Sequence, residues 1–394
     1  MAVAEWSVPS PYFLAGAISL AIWLYLVFAR GFFWQLREFD DDRSAYKLPD
    51  HLPTVVAIVP ARNEAETIAR TVEALARQDY PGAFSISVVD DHSEDGTAQG
   101  AQQAAQETGA AARIRIQSAS ELPAGWTGKL WALHEGVSAA SADAPTFYWF
   151  TDADIVHVPD TLRRLVARSE ENKLDLVSLM VLLRANAFAE RALIPSFLYF
   201  FLKLYPPRWI ADAHARSAGA AGGCILLRRE ALDRIGGLAT IRGEVIDDCA
   251  MARAVKQSGG RIWLGLTRAS VSLRSYRTFT EIRDMIARTG FTQLRYSAVL
   301  LLGTLIGLLL TYVAPVALLF TPGRAPLILG LITWLLMSLT FLPTVRFYRV
   351  SSLWAPWLPL AALFYACATC LSAWRFWLGR GGQWKGRAQA PRQL

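Results

Sequence analysis

The apolar positions of this chain follow two regimes. Near both ends they run without interruption; in the middle they come in short bursts closed by polar turns. From Ser7 to Ala29 there is no charged side chain, and Pro11–Ala29 is almost wholly apolar. About 20 such residues in a helix cross the ~30 Å hydrocarbon core of a bilayer. Residues 296–323, 325–345 and 350–374 are three further uncharged runs of spanning length, the last expected to be irregular at Pro356 and Pro359. The segment MAVAEW carries no Lys or Arg, whereas Arg30 and Arg37 follow the first run with no small-residue cleavage site. That pattern predicts an uncleaved anchor with the following chain in the cytoplasm, hence a multi-pass protein of the inner (cytoplasmic) membrane. Three more crossings put the tail outside. Yet Arg375, Arg380, Lys385, Arg387 and Arg392 ask for the inside, so one run is expected at the interface or re-entrant, or the tail's side stays open.

The middle has a different rhythm. Val55–Val59, bounded by Pro53 and Pro60, predicts a buried parallel strand. Glu64–Arg77 has apolar residues at helical spacing (Ile68, Val72, Leu75, Ala76). Phe84–Val89 predicts a second strand, Thr97–Glu107 a helix, Ile114–Ile116 a short strand and Thr146–Phe150 another. Alternating strand and helix predicts an α/β fold: a mostly parallel sheet with helices on both faces. Ligands of such sheets bind beyond the carboxyl ends of the strands. Two acidic clusters fall there, Asp90-Asp91 and Asp152-Ala153-Asp154. A third, Glu244 to Asp248, follows the glycine-rich Gly219–Cys224 and precedes a predicted helix over Ala250–Gln257.

An Asp-x-Asp pair on a strand-end loop can hold one hard cation, Mg²⁺ or Mn²⁺, whose other ligands are waters and phosphate oxygens. Such an ion offsets charge developing on a diphosphate leaving group. Each cluster alone also fits a solvated turn or a helix cap. Three of them at three element boundaries favour a site.

Composition changes the picture in three ways. With 394 residues, 53% of them hydrophobic, and 14 Trp, 12 Tyr and 19 Phe, the chain is not disordered. The charged fraction of 19% lies below the ~25% usual for globular domains, which disfavours a purely soluble enzyme. Four cysteines exclude a disulfide scaffold; Cys367 and Cys370 read as one face of a buried helix. The net charge of +7 draws on a run of arginines (261, 268, 274, 277, 283, 288, 295), which reads as a membrane-facing surface and not as a nucleic-acid site. Ala192–Ile210, aromatic and broken by Pro195, Pro206 and Pro207, fits either core packing or an interfacial segment with Lys203 and Arg208 reaching headgroups.

Taken together, Val55–Glu64 (VVAIVPARNE), Val88–Thr97 (VVDDHSEDGT), Gly128–Gly136 (GKLWALHEG), Thr151–Asp154 (TDAD) and Val245–Met251 (VIDDCAM) resemble the motifs of family 2 glycosyltransferases with the GT-A fold. Within that family the chain is most similar to hopene-associated glycosyltransferases, relatives of ceramide glucosyltransferase. The resemblance implies an N-terminal anchor over 1–36, a cytoplasmic GT-A domain over 50–295, C-terminal membrane helices over 296–378 and a basic tail over 379–394. It implies a UDP-sugar donor, contacted by Pro60, Arg62, Glu64, Asp90, Asp91, Lys129, Asp152 and Arg295. A Mg²⁺ or Mn²⁺ ion would sit on Asp152 and Asp154. Asp248 would be the general base, with Asp247 where Glu is usual. The acceptor implied is a membrane lipid, with a hopanoid-type lipid as its narrower form and the bilayer itself as a partner. The family's (Q/R)xxRW motif appears as Thr292-Gln293-Leu294-Arg295-Tyr296, and the usual Asn of the lysine motif is His134. These departures weaken the competing reading of a processive polysaccharide synthase. An inactive nucleotide-sugar sensor and a membrane-anchored nucleotidyltransferase also compete with transfer to a lipid.

Overall fold

The computed structural model describes residues 10–40, 47–381, 383–384 and 387–388. Residues 1–9 of the first expected region and most of the basic tail, Lys385 and Arg392 included, lie outside the described residues. Two compact units result, a helical one (Met1–Leu36, Ala185–Pro206, Tyr276–Arg375) and a sheet-containing one (Arg37–Arg184, Pro207–Ser275, Phe376–Leu394). Residues 185–206 and 276–295 thus pack within the helical unit.

The sheet has eight strands: β1 Val55–Ala61, β2 Phe84–Asp90, β3 Ile114–Ser118, β4 Phe147–Phe150, β5 Ile155–His157, β6 Leu176–Leu182, β7 Ile225–Arg228 and β8 Ile262–Ser272. Their order is β3-β2-β1-β4-β7-β6-β8-β5. β3, β2, β1 and β4 are parallel; β7 runs antiparallel to β4 and β6, β8 runs parallel to β6, and β5 antiparallel to β8. The mixed, mostly parallel α/β sheet expected from the sequence is present. β1 is buried along its whole length, as a central strand covered on both faces must be. Pro60 fits inside it because β4 pairing ends at Ile58, with Thr151 N–H donating to the Ile58 carbonyl at 3.3 Å. Pro60 therefore faces the side where no donor is needed.

The helix Gly128–Ala140 lies on β1 and β2 through Gly136, where a Cβ would come 2.5 Å from Ile58 Cγ2. Ile68–Ala76 and Thr161–Asn172 bury Ile68, Val72, Leu75, Leu162 and Leu165 against the sheet core. Ahead of β1, residues 38–40 add a short stretch to β8: Leu266 N–H donates to Glu38, and Asp40 N–H donates to Leu266. There Asp40, Arg164 and Arg168 are buried together, Arg164 Nη1 at 2.7 Å from Asp40 Oδ2 and Arg168 over the Trp263 ring at 3.8 Å.

Among the described residues, four helical stretches are long and apolar enough to cross a membrane: Pro11–Phe28, Ala298–Phe320, Arg324–Phe347 and Ser352–Trp377. The second contains a π-helical turn, Leu309–Val313, just before Pro315. Pro315 has no N–H to offer the Thr311 carbonyl. The Trp23 indole N–H fills that place at 2.7 Å, which suits a segment where water cannot satisfy the backbone. The fourth stretch is irregular as expected: Ser352–Trp357 is 3₁₀ and holds Pro356, and Leu358–Trp377 then starts as an α-helix with Pro359 in its first turn, where a missing N–H costs nothing. Cys367 on that helix is exposed and Cys370 half-buried, both free, so this face is less buried than expected.

Phe188–Leu204 is a helix with Ala192, Leu193, Ile194, Leu198, Tyr199 and Leu202 buried. Core packing is therefore the correct reading of its apolar face. Lys203 does not reach toward headgroups; its ammonium donates to Tyr312 Oη at 2.9 Å and lies over the Phe200 and Tyr312 rings.

Candidate active site

The sheet's direction changes gather distant segments along one edge. β1, β2, β4 and β8 end there, and the antiparallel β5 and β7 begin there, since Phe150 pairs with Ile225 and Ile155 with Ser272. Arg62, Glu64, Asp91, Asp152 and Asp154 follow these strand ends, whereas Lys129 and Asp248 come from the first turns of the helices Gly128–Ala140 and Asp247–Gln257.

Beyond β1 and β2, two turns are stitched together. Asn63, with a left-handed φ of 50°, receives Glu94 N–H on its side chain and donates its own N–H to Ser93 Oγ at 2.9 Å. Glu64 N–H donates to Thr97 Oγ1 at 2.8 Å. Asp90 Oδ2 accepts from Ser93 N–H at 3.2 Å. Asp91 is fully buried, and Arg62 donates to its carbonyl and lies 3.5 Å from its carboxylate.

Beyond β4, Thr151 anchors the acidic loop. Its hydroxyl donates to the Gly223 carbonyl at 3.0 Å and contacts His157 Nε2 at 2.8 Å; His157 Nδ1 lies 2.7 Å from Ser270 Oγ. With the Thr151 proton spent on Gly223, His157 donates from Nε2 and accepts at Nδ1. Burial, helped by the Arg164 charge, presses its pKa down to about 3. It is a neutral strut under the loop, not an acid or base. Asp154 Oδ2 accepts from Ser272 Oγ at 3.1 Å and Arg274 Nε at 3.2 Å, and Arg274 also pairs with Glu64.

The third cluster opens the helix Asp247–Gln257. Asp248 Oδ2 accepts from Gly222 N–H at 2.9 Å and Oδ1 from Cys249 N–H at 2.7 Å. Lys129, in the first turn of Gly128–Ala140, joins the segments: its Nζ is 2.8 Å from Asp152 Oδ1 and 3.3 Å from Asp247 Oδ2. A Cβ on Gly222 would lie 3.0 Å from that Nζ, so the glycine leaves the ammonium its room. Burial alone would lower the Lys129 pKa, but Asp152, Asp247 and Asp248 raise it well above the usual lysine range. Asp248 is pushed up to about 6 by burial and then by the Asp247 carboxylate, against the pull of Lys129 and the two amides. A carboxylate near 6 is a competent proton acceptor at neutral pH, and Lys129 and Arg274 are suited to phosphate.

Asp152, Asp154, Lys129, Asp247 and Asp248 are thus joined through ion pairs and neighbouring turns, with Arg62, Glu64, Asp90 and Asp91 at the same edge. Arg295 belongs to the helical unit, where it follows Phe279–Gln293 with a left-handed φ of 52°. The His134 ring lies tilted against Trp126 and Trp131, with centroids at 4.8 and 5.3 Å. The sequence pattern does not single out Gly222 or His157 as parts of this edge, and it counts Arg274 among the membrane-facing arginines.

Among the described residues, no group of three or more His, Cys, Asp or Glu is gathered to hold a metal. Asp152 and Asp154 nonetheless fit Mg²⁺ or Mn²⁺ chemically: hard carboxylates on one loop, the first a third exposed, are what such ions take when phosphates complete the shell.

Residues 56–236 match the family model for glycosyl transferase family 2. The helix Asp247–Gln257 and Arg274 lie past the matched residues. The chain is similar to a mannosyltransferase from Pyrobaculum calidifontis in complex with GDP-Man and Mn²⁺, at 19% identity and a TM-score of 0.52, covering 89% of this chain and 99% of that one. It is also similar to M. tuberculosis glucosyl-3-phosphoglycerate synthase, at 20% identity and a TM-score of 0.40, covering 62% and 80%. No curated protein matches the chain.

Proposed function

We propose that this protein is a membrane-bound inverting glycosyltransferase that moves a sugar from a UDP-sugar to a lipid acceptor. One observation carries the reading: Lys129 draws Asp152, from the acidic strand-end loop, and Asp247, beside Asp248, onto a single ammonium at the edge where sheets of this kind bind ligands. That arrangement supports reading Lys129 as the positive group for a diphosphate and Asp248 as the proton acceptor beside it.

In the proposed reaction Asp248 takes the proton of an acceptor hydroxyl. The acceptor oxygen bonds to the anomeric carbon as the bond from that carbon to the diphosphate breaks, and the electron pair leaves on phosphate oxygen. Attack opposite the leaving group inverts the centre. Lys129 would bind the departing diphosphate, and Arg62, Glu64, Asp90, Asp91 and Pro60 would shape the nucleoside end. Arg295 is proposed as a further diphosphate contact. A divalent cation on Asp152 and Asp154 would, when bound, offset the diphosphate charge; the similar mannosyltransferase is described with Mn²⁺.

The lipid acceptor, with a polycyclic hopanoid-type lipid as the narrower candidate, rests on the four apolar stretches and on the subfamily resemblance. Placing the site on the cytoplasmic side of the inner membrane rests on Arg30 and Arg37 after the first stretch. The test is incubation of the full chain with labelled UDP-sugars and membrane lipids. A labelled lipid plus UDP is expected; release of pyrophosphate, or binding without product, would refute transfer.

A further inference from the structure

Each carboxylate of the Asp152–Asp154 loop already has a cation of the chain's own. Lys129 holds Asp152 and Asp247 at 2.8 and 3.3 Å. Arg274 holds Asp154 at 3.2 Å while Ser272 donates to the same oxygen. The two cations come from different parts of the chain, Lys129 from the first turn of Gly128–Ala140 and Arg274 from two residues past the end of β8. A divalent ion approaching Asp152 therefore meets an ammonium at hydrogen-bonding distance, and no third protein ligand is gathered among the described residues to compensate. Two positive charges this close repel, all the more where water is partly excluded.

A nucleoside diphosphate reverses the balance. Its oxygens offer Lys129 a more highly charged partner than one carboxylate, and they supply the ligands that a hard cation lacks here. Gly222 matters in this exchange, because a side chain there would intrude on the ammonium. We infer that Lys129 is a built-in counter-ion that keeps the donor site closed to free divalent cations, so that cation and nucleoside diphosphate load together. The inference rests on the nucleotide-sugar reading and specifies how that site fills. Loading of this kind is a coupling between two ligands, reciprocal by linkage.

The test is Mn²⁺ binding to the purified full chain in detergent, followed by calorimetry or by the electron-spin signal of free Mn²⁺, without nucleotide. Lys129→Met is expected to tighten Mn²⁺ binding about tenfold over the unaltered chain. Lys129→Arg, which keeps the charge, should stay within about twofold. A merely structural lysine predicts unchanged or weaker metal binding in the Met variant, and that result overturns the inference. Should Lys129→Met fail to fold, Gly222→Ala decides: crowding the ammonium should tighten Mn²⁺ binding, and an unchanged or weakened affinity overturns the inference. A parallel titration with UDP and Mn²⁺ tests the donor reading by itself. Absence of any UDP binding sinks that reading, while the metal-only comparison still decides the role of Lys129.

Discussion

Two clusters of charge in the sheet-containing unit use the same residue types in opposite ways. Asp40, Arg164 and Arg168 are at most 8% exposed. Their cations are spent on the backbone carbonyls of Asp40 and Phe39 as well as on the carboxylate, and the Trp263 face closes over Arg168. At the sheet edge, Lys129, Asp152 and Asp247 keep side-chain exposures of 18, 34 and 15%, and one ammonium serves several carboxylates. The first cluster is buried and ties Phe39 and Asp40 to the helix Thr161–Asn172. On the proposed function, each member of the second has a partner that a ligand would replace. What separates structure from site is whether the pairs can be exchanged, not how much charge is present.

The largest expected effect breaks the second cluster chemically. Asp248→Asn should lower turnover by about 10²–10⁴-fold, the usual worth of a general base, while UDP binding measured by calorimetry is retained. Turnover within about tenfold of the unaltered chain removes Asp248 from the reaction. Next comes the first cluster. Asp40→Asn leaves two buried guanidinium groups without their carboxylate, which typically costs about 3–5 kcal/mol; denaturant unfolding of the purified chain should show it. In conditions where the variant stays folded, its turnover should match the unaltered chain, and a selective loss of turnover would break the contrast between the clusters.

A smaller effect sharpens it. With Asp248 near 6, turnover should fall about tenfold per pH unit on the acid side of that value, as the base becomes protonated. Asp247 is the charge that raises it most, after burial. Asp247→Asn should move the acid limb to lower pH. A limb that stays in place, or moves up, means Asp247 does not act on Asp248.

The contrast also explains what the sequence could disclose. β1 and β4 were legible because each is a continuous apolar run, and β2 because it alternates into Val88-Val89, each stopped by a polar or acidic turn, and the stops mark the edge. β5 and β7 are three and four residues long, too short for any period to register. β6 and β8 carry a shift in register between Met180 and Leu182, which blurs alternation. The acidic half of the site was legible because carboxylates cluster locally. Its cationic half was only partly so. Lys129 stood within a motif, whereas Arg274 meets its partners 120 and 210 residues away. Such a pair leaves no local trace, and among six neighbouring arginines Arg274 looked like a membrane-facing surface. Lys203 misled for the same reason, since its partner Tyr312 lies 109 residues on.

The smallest effect concerns stability and has opposite signs in the two clusters. In an unfolded chain an aspartate titrates near ~3.9; folded, Asp248 titrates near 6. The fold therefore holds that proton more tightly than the unfolded chain does. Its stabilising contribution is complete below about pH 4 and is lost as pH rises through 6. At about pH 8 an ionised Asp248 thus weighs against the fold, and Asp248→Asn removes that burden. Part of the gain is cancelled, because Asn can accept from only one of the Gly222 and Cys249 amides and turns its own donor toward the other. The net expectation is a Tm about 1–3 °C higher at about pH 8 than in the unaltered chain, an advantage that shrinks as the medium becomes acidic enough to protonate Asp248. Asp40→Asn should lower the Tm at the same pH. If thermal melts in that mildly alkaline buffer show both substitutions destabilising alike, the edge cluster is as fixed as the buried one, and its pairs are not there to be exchanged.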